Sequence, residues 1–329
     1  MNLLIMSLII SLISFILIYA VTPSLIKKFG EIGLIVPDVH KSDADLIPTF
    51  GGIIILSGYA LAVILFILQP FQIITLDISF KISAALLTII LIGLLGGLDD
   101  LKPIRQRYKF LLPACFSFLI ILACRNQSTS VAFPLIGSLE FGILYLICFI
   151  PLAITTASNF TNMLAGFNGI EAGSGFVACA AISIIGFILG KFEVVILTLP
   201  LAAALLAFLR YNWYPSKIFP GDSGTMMIGA VIASAAIIGK IEVPCMIVLI
   251  PHAMDFTLKL LNRRPFSQRQ IYGNTAIHQN GILYPPPYPA LLHMPLRLTQ
   301  LTEKQLVKNV ICLEVAFAVI AIIIAILIY

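Results

Sequence analysis

Two adjacent carboxylates, Asp99 and Asp100, close a run of apolar residues long enough to cross a membrane, and Arg105, Arg107 and Lys109 follow before the chain turns apolar again. Three other stretches gather polar side chains in the same way. SNFTNMLAGFNGIEAGSG (158–175) carries Asn159 and Asn162, RYNWYPSKIFPGDSGT (210–225) carries Asp222, and NRRPFSQRQIYGN (262–274) carries Arg263, Arg264 and Arg269. Carboxylate and amide oxygens such as those of Asp99, Asp100, Asn162 and Asp222 are hard ligands. They suit Mg²⁺, which takes one or two carboxylates together with substrate phosphates and water. The glycines of 165–175 let backbone N–H groups approach an anion where a helix begins. The arginines suit bidentate phosphate contacts. Hard-metal oxygens, backbone donors and arginines together describe phosphoryl transfer, in which positioning and charge neutralisation do most of the work.

Each feature taken singly has a plainer reading. An Asp pair at the end of an apolar run can be a solvated cap, Asn159 and Asn162 can cap a helix, GDSG can be a turn, and a basic loop can be a membrane anchor. The four histidines, His40, His252, His278 and His293, show no ligand spacing, and the six cysteines form no CxxC pair, so neither a soft-metal site nor a disulfide framework is suggested. What changes the reading is where the clusters fall relative to the elements that must carry them.

Those elements are membrane helices. Of 329 residues 60% are hydrophobic and 11% charged, and mean hydropathy is +1.07, a composition that cannot make a water-facing surface. The N-terminal run MNLLIMSLIISLISFILIYAV lacks a basic leader and a small-residue cleavage site, and reads as a first span rather than a signal peptide. Ten apolar segments fit the bilayer thickness, near 3–22, 48–68, 80–98, 110–124, 141–157, 170–189, 193–209, 223–239, 241–259 and 309–328. Ten spans divide the loops into two sets, with sixteen of the twenty Lys and Arg residues in one and four (Lys81, Arg125, Lys191, Lys240) in the other. The positive-inside bias makes the first set cytoplasmic and places both termini outside. All four polar clusters then share the cytoplasmic face. The expected architecture is an all-α integral membrane protein: a single polytopic domain over 1–329, with a long cytoplasmic loop at 260–308 before the last span. A site on that face can join a lipid substrate to a soluble nucleotide.

At these motifs the sequence resembles the polyprenyl-phosphate N-acetylhexosamine-1-phosphate transferases, from about residue 37 to 328. PDVHKSDADLIPTFGG resembles the family's first cytoplasmic loop, with Lys41 and then Pro48, Gly51 and Gly52. GGLDDLKPIRQRYKFLLP, NFTNMLAGFNGIEAGSG and YNWYPSKIFPGDSG resemble the eukaryotic and archaeal dolichyl-phosphate branch. RRPFSQRQIYGN is closer to the bacterial branch, but Ile271, Gly273 and Asn274 stand where that branch has three histidines, and Thr49 stands where the dolichyl branch has a Glu.

The resemblance implies ten spans, outside termini and a cytoplasmic active site. It implies transfer of GlcNAc-1-phosphate from UDP-GlcNAc to a polyprenyl phosphate, dolichyl by its branch, giving polyprenyl-diphospho-GlcNAc and UMP in the first membrane step of glycan assembly. Asp99, Asp100 and Asp222 would be catalytic, and Asn162 and Asp222 would hold Mg²⁺, for which Mn²⁺ can substitute. Lys109 would bind the lipid phosphate. Asn159, Gly166, Asn168, Pro37, Asp38, Val39, Arg264 and Arg269 would line the substrates. The partners implied are UDP-GlcNAc, polyprenyl or dolichyl phosphate, the bilayer and a second copy of the chain, with no nucleic acid. The location implied is the cell membrane, or the endoplasmic reticulum membrane in a eukaryote. Two alternatives stand beside this reading: a bacterial-type undecaprenyl-phosphate enzyme for another UDP-amino sugar, and a transporter. A transporter puts its polar residues near the bilayer midplane, where Glu314 is the clearest charged exception in this chain.

Overall fold

The computed structural model describes residues 3–41, 45–69, 75–261, 275–277 and 281–329. Arg263, Arg264, Arg269 and the three positions that replace histidines lie outside the described residues.

The chain opens with α1 (Leu3–Glu31), whose hydroxyls Ser7, Ser11 and Thr22 bond carbonyls four residues back. That is how an apolar helix satisfies Ser and Thr within itself, although the buried Ser14 hydroxyl of the same helix has no partner among the described residues. A short antiparallel pair follows, β1 (Ile35–Pro37) on β2 (Leu46–Pro48). Next come α2 (Gly51–Ile67), α3 (Leu76–Leu101), α4 (Gln106–Phe116) and α5 (Phe118–Cys124). The hairpin β3 (Ser130–Phe133) and β4 (Gly137–Glu140) and a π-helical turn at Tyr145–Phe149 lead into α6 (Ile150–Met163). The long helices α7 (Ile170–Ile188), α8 (Phe192–Asn212) and α9 (Gly221–Gly239) follow, then α10 (Glu242–Val248) and α11 (Ile250–Leu261). Strands β5 (Ala276–Ile277) and β6 (Ile282–Tyr284), a 3₁₀ turn at Leu291–His293, α12 (Met294–Leu298) and β7 (Leu301–Thr302) precede α13 (Glu303–Ile328). Strands β5, β6 and β7 form one small antiparallel sheet.

The expected architecture is met in its coarse outline: the described chain is mostly helical, with three small sheets in its loops. Eight described helical stretches are long and apolar enough to span a membrane, or nine if a bent pair counts as one span. Of the remaining two segments, α2 has only 17 residues, and 241–259 is two helices bent by 60° at Leu249. Apolar composition reports that a segment is buried or lipid-facing, and it is silent about a bend within it.

Helix α9 is the centre of the bundle. Its apolar window is 89% buried, against 33% in α1 and 22% in α13. It packs against α3, α6, α2 and α8. Its run of Gly, Ala and Ser lets neighbouring backbones come close, the usual device of membrane helix packing. A side chain at Gly96 of α3 would overlap the Asp222 backbone, and one at Gly229 of α9 would overlap Ala157 of α6. At the end of the bundle holding the C-terminus of α9, Lys191 bonds the Gly239 carbonyl, a basic group against a helix C-terminus. There Lys240 and Tyr145 share Glu242, at 2.7 and 2.5 Å. The clusters at Asp99–Asp100, Asn159–Asn162 and Asp222 lie at the opposite end. Glu314, in the body of α13, faces His252 of α11 across 3.6 Å.

Candidate active site

The end of α3, the first turn of α4, the end of α6 and the start of α9 meet at one point. Lys109 is 5% exposed there, and its ammonium lies between the carboxylates of Asp99, at 2.9 Å, and Asp222. Asp99 also accepts the Ile104 amide at 2.6 Å, which closes the turn between α3 and α4. Asn162 donates to the same Asp222 oxygen at 3.3 Å, while its own amide oxygen accepts from Thr225 at 3.0 Å. Asn159 donates to the Lys109 carbonyl at 3.2 Å and so ties α6 to α4. Six polar residues from four helices therefore form one network. The side chains of Asp99 and Asp222 keep 16% and 27% exposure, so their carboxylates face an opening while the lysine is enclosed.

Asp100 sits differently from its neighbour. Its two oxygens accept the Asp222 amide at 2.7 Å and the Ser223 amide at 3.1 Å. A carboxylate on the free N–H groups of a helix start is stabilising through both hydrogen bonding and the helix dipole. Gly221, at φ +68°, has no Cβ to collide with those oxygens. Of the adjacent pair, Asp99 points at the lysine and Asp100 holds the helix that presents Asp222.

A second cluster adjoins the first. The turn 164–169 leads into α7, and two of its amide N–H groups are held by protein carboxylates: Gly166 donates to Glu171 at 2.8 Å and Asn168 to Glu303 at 2.7 Å. Of the glycine amides expected to meet an anion, that of Gly166 is therefore already paired. The Asn168 side chain is 1% exposed, donates to Asp38 at 3.1 Å and accepts the Ser216 amide at 2.6 Å. Asp38 is buried and paired with Lys41 at 2.6 Å, while Pro37 and Val39 on either side of it are exposed. His40 stacks on Phe167 with ring centroids 4.1 Å apart and bonds Thr275 at 2.9 Å. Burial holds the His40 imidazole down at about 4, with the adjacent Asp38 charge opposing this only in part. The residues around the turn are thus a buried aromatic stack and three buried carboxylates, one of them neutralised by Lys41.

Three anchoring residues were not singled out from the sequence. Glu303 and Thr225 look like ordinary members of helix starts, and Lys259 looks like one more basic residue before a loop. Lys259 in fact pairs with Asp255 and donates to the Met163 carbonyl, both at 2.6 Å, fixing α11 to the end of α6. Among the described residues no three His, Cys, Asp or Glu side chains gather at metal-holding distance. Asp222 and Asp99 nonetheless fit a hard cation. They are two partly exposed carboxylates brought to one point, with the Asn162 amide beside them, the sparse oxygen set that Mg²⁺ completes with phosphates and water.

An apolar cavity of about 320 Å³ runs along the bundle between α6, α9 and the bent α10–α11 pair. Phe160 and Thr156 line it beside the Asn159–Asn162 turn, Ala233 and Met246 line its middle, and Glu242 closes its far end.

Compared with known proteins, residues 82–240 match the family described as Glycosyl transferase family 4. A Saccharolobus solfataricus protein, provisionally named UDP-N-acetylglucosamine–dolichyl-phosphate N-acetylglucosaminephosphotransferase, is 34% identical over 95% of this chain and 94% of its own length. A phospho-N-acetylmuramoyl-pentapeptide-transferase of Halalkalibacterium halodurans is 32% identical over 72% of this chain and 76% of its own. The Schizosaccharomyces pombe UDP-N-acetylglucosamine–dolichyl-phosphate N-acetylglucosaminephosphotransferase is 32% identical over 56% of this chain and 46% of its own.

Proposed function

The chain belongs to glycosyl transferase family 4, and from that premise we propose that it transfers GlcNAc-1-phosphate from UDP-GlcNAc to a membrane polyprenyl phosphate of the dolichyl type. One observation carries the assignment of the reacting centre. Lys109 is fixed between Asp99 and Asp222, and Asn159, which bonds the Lys109 carbonyl, is the chain neighbour of Phe160 in the wall of an apolar groove, so that a phosphate and a hydrocarbon chain are provided for on neighbouring residues.

The chemistry needs little from the protein beyond placement. A phosphate monoester has a second pKa of about 6, so near neutral pH the lipid phosphate is mostly dianionic and is itself the nucleophile. Its oxygen attacks the β-phosphorus of UDP-GlcNAc, a new P–O bond forms, the bond to the bridging oxygen breaks, and UMP leaves. No general base is required. Lys109 draws the lipid phosphate to the membrane surface and offsets charge that accumulates between two anionic substrates. Asp222, Asp99 and Asn162 would hold Mg²⁺, which supplies charge neutralisation at the diphosphate when bound. Asp100 keeps Asp222 in place through the start of α9. Pro37 and Val39 are exposed beside the 164–169 turn, and the uncharged nucleoside end of the donor belongs there, since carboxylates surround that turn and Lys109 does not reach it. The polyprenyl chain lies in the groove lined by Phe160 and Ala233. The site faces the cytoplasm, as the Lys and Arg partition suggests.

UMP release and formation of a labelled lipid from UDP-GlcNAc and polyprenyl phosphate, using purified protein in detergent, tests this reading. Lipid product with UDP-GlcNAc is expected. Product only with UDP-N-acetylmuramoyl-pentapeptide would move the chain to the activity named for its H. halodurans relative.

A further inference from the structure

The turn at 164–169 is gripped from two sides by acids to which no role has been given. Glu171 lies in the first turn of α7 and takes the Gly166 amide at 2.8 Å; Glu303 is the first residue of α13 and takes the Asn168 amide at 2.7 Å. The two glutamates are 8% and 3% exposed. In each, one oxygen holds the turn and the other has no hydrogen-bond partner among the described residues. Burying a carboxylate with half of its acceptors unmet is costly. A helix start satisfied by solvent would not need it.

What the arrangement secures is a backbone that would otherwise be free to rotate. Gly166 stands at φ +116°, a conformation that only glycine adopts readily, and its neighbour Phe167 carries the ring on which His40 stacks. Asn168 continues the grip, because its side chain joins Asp38 of the first loop to the Ser216 amide of the loop that leads to Asp222. Glu303 therefore connects α13, 135 residues away, to the turn and through it to both loops.

We propose that Glu303 and Glu171 are positioning residues for the nucleotide-sugar donor: they fix the exposed Gly166 backbone toward the donor, with the buried Phe167 and Asn168 behind it, and do not touch the donor themselves. The identity of the donor rests on the function proposed above; the division of labour between the two substrates does not. A carboxylate that merely held the fold would weaken both substrates alike. One that shapes the donor end alone should leave the lipid, bound along α6 and α9, almost untouched.

The test is steady-state UMP release by the full-length protein, varying one substrate with the other saturating. Glu303→Ala and Glu171→Ala are each expected to raise KM for UDP-GlcNAc about tenfold, the scale of losing one buried charge-assisted bond, with KM for polyprenyl phosphate within about twofold of wild type. Glu303→Gln keeps an acceptor oxygen for the Asn168 amide and should recover most of the donor KM. Should Glu303→Ala fail to fold, Glu303→Gln and Glu303→Asp carry the comparison, and a donor KM in Glu303→Asp unchanged from wild type defeats the proposal. So does an unchanged donor KM in a folded alanine variant, or an equal rise for both substrates. A wild-type protein that ignores UDP-GlcNAc and uses another UDP-sugar overturns the donor assignment instead, and the same KM ratios are then read with that sugar.

Discussion

The Asp100 carboxylate accepts the backbone amide of Asp222 at 2.7 Å, while the side chain of Asp222 turns away from it toward Lys109 and Asn162. One acid thus anchors the main chain of another and leaves its side chain free for chemistry. The adjacent pair at 99–100 is consequently two devices rather than one, and substitution separates them.

Asp100→Asn replaces a two-pronged carboxylate on a helix start with a neutral amide that has a single acceptor. It should cost roughly 1–3 kcal/mol of stability, the range for hydrogen bonds to a charged group, and activity should fall with it. Asp99→Asn should abolish most turnover while the melting temperature stays near wild type, since Asp222 still neutralises Lys109. Differential scanning fluorimetry beside UMP release distinguishes the two, and equal melting temperatures for both variants would refute the assignment.

Lys109 and a divalent cation compete for the same oxygens of Asp99 and Asp222. Lys109→Ala and Lys109→Arg should both lose about 100-fold or more in turnover, because a compact ammonium is replaced by nothing or by a larger planar group. Nucleotide binding by calorimetry should change little. With the ammonium gone, Mn²⁺ should bind more tightly, read by electron paramagnetic resonance, and Asp222→Asn should weaken that binding. Full turnover of the wild type in EDTA would remove the metal from the reaction.

Acid should loosen the donor end. His40 and His293 are both buried, and burial holds each at about 4, below the ordinary 6.5. The unfolded chain therefore takes up protons first as pH falls. The contribution of the two histidines is complete above about 6.5 and is lost as pH drops toward 4, by up to about 3 kcal/mol for each. The difference in thermal unfolding between the wild type and a His40→Gln, His293→Gln double variant, followed in detergent from pH 7.5 to 4.5, should show this slope.

Filling the groove should separate the substrates in the opposite sense from the glutamates. Ala233→Phe places a ring in the cavity between α6, α9 and α10. KM for a long-chain polyprenyl phosphate should rise about tenfold, while a short-chain phosphate and UDP-GlcNAc keep their values, as expected when apolar contact area is lost from one ligand alone. Equal effects on long and short chains would place the lipid elsewhere.

The membrane character of this protein, the crowding of its polar residues at a few loops and the types of chemistry those residues can perform follow from the sequence by itself. These are local properties: hydropathy adds along a segment, and an acid or amide oxygen is a hard ligand wherever it stands. The relations among the residues were decided by the tertiary structure. Lys109 meets Asp222 across 113 positions and Glu303 meets Asn168 across 135; the first meeting depends on close packing at Gly96 and Gly229, and the second on the approach of α13 to α7, where Ile311 lies against Gly173. Packing also decides that Gly166 gives its amide to Glu171 and not to a phosphate, and that the 241–259 segment bends to open a groove. A hydrogen bond needs its partners within about 3 Å and aligned, and linear spacing fixes that only inside one turn of helix.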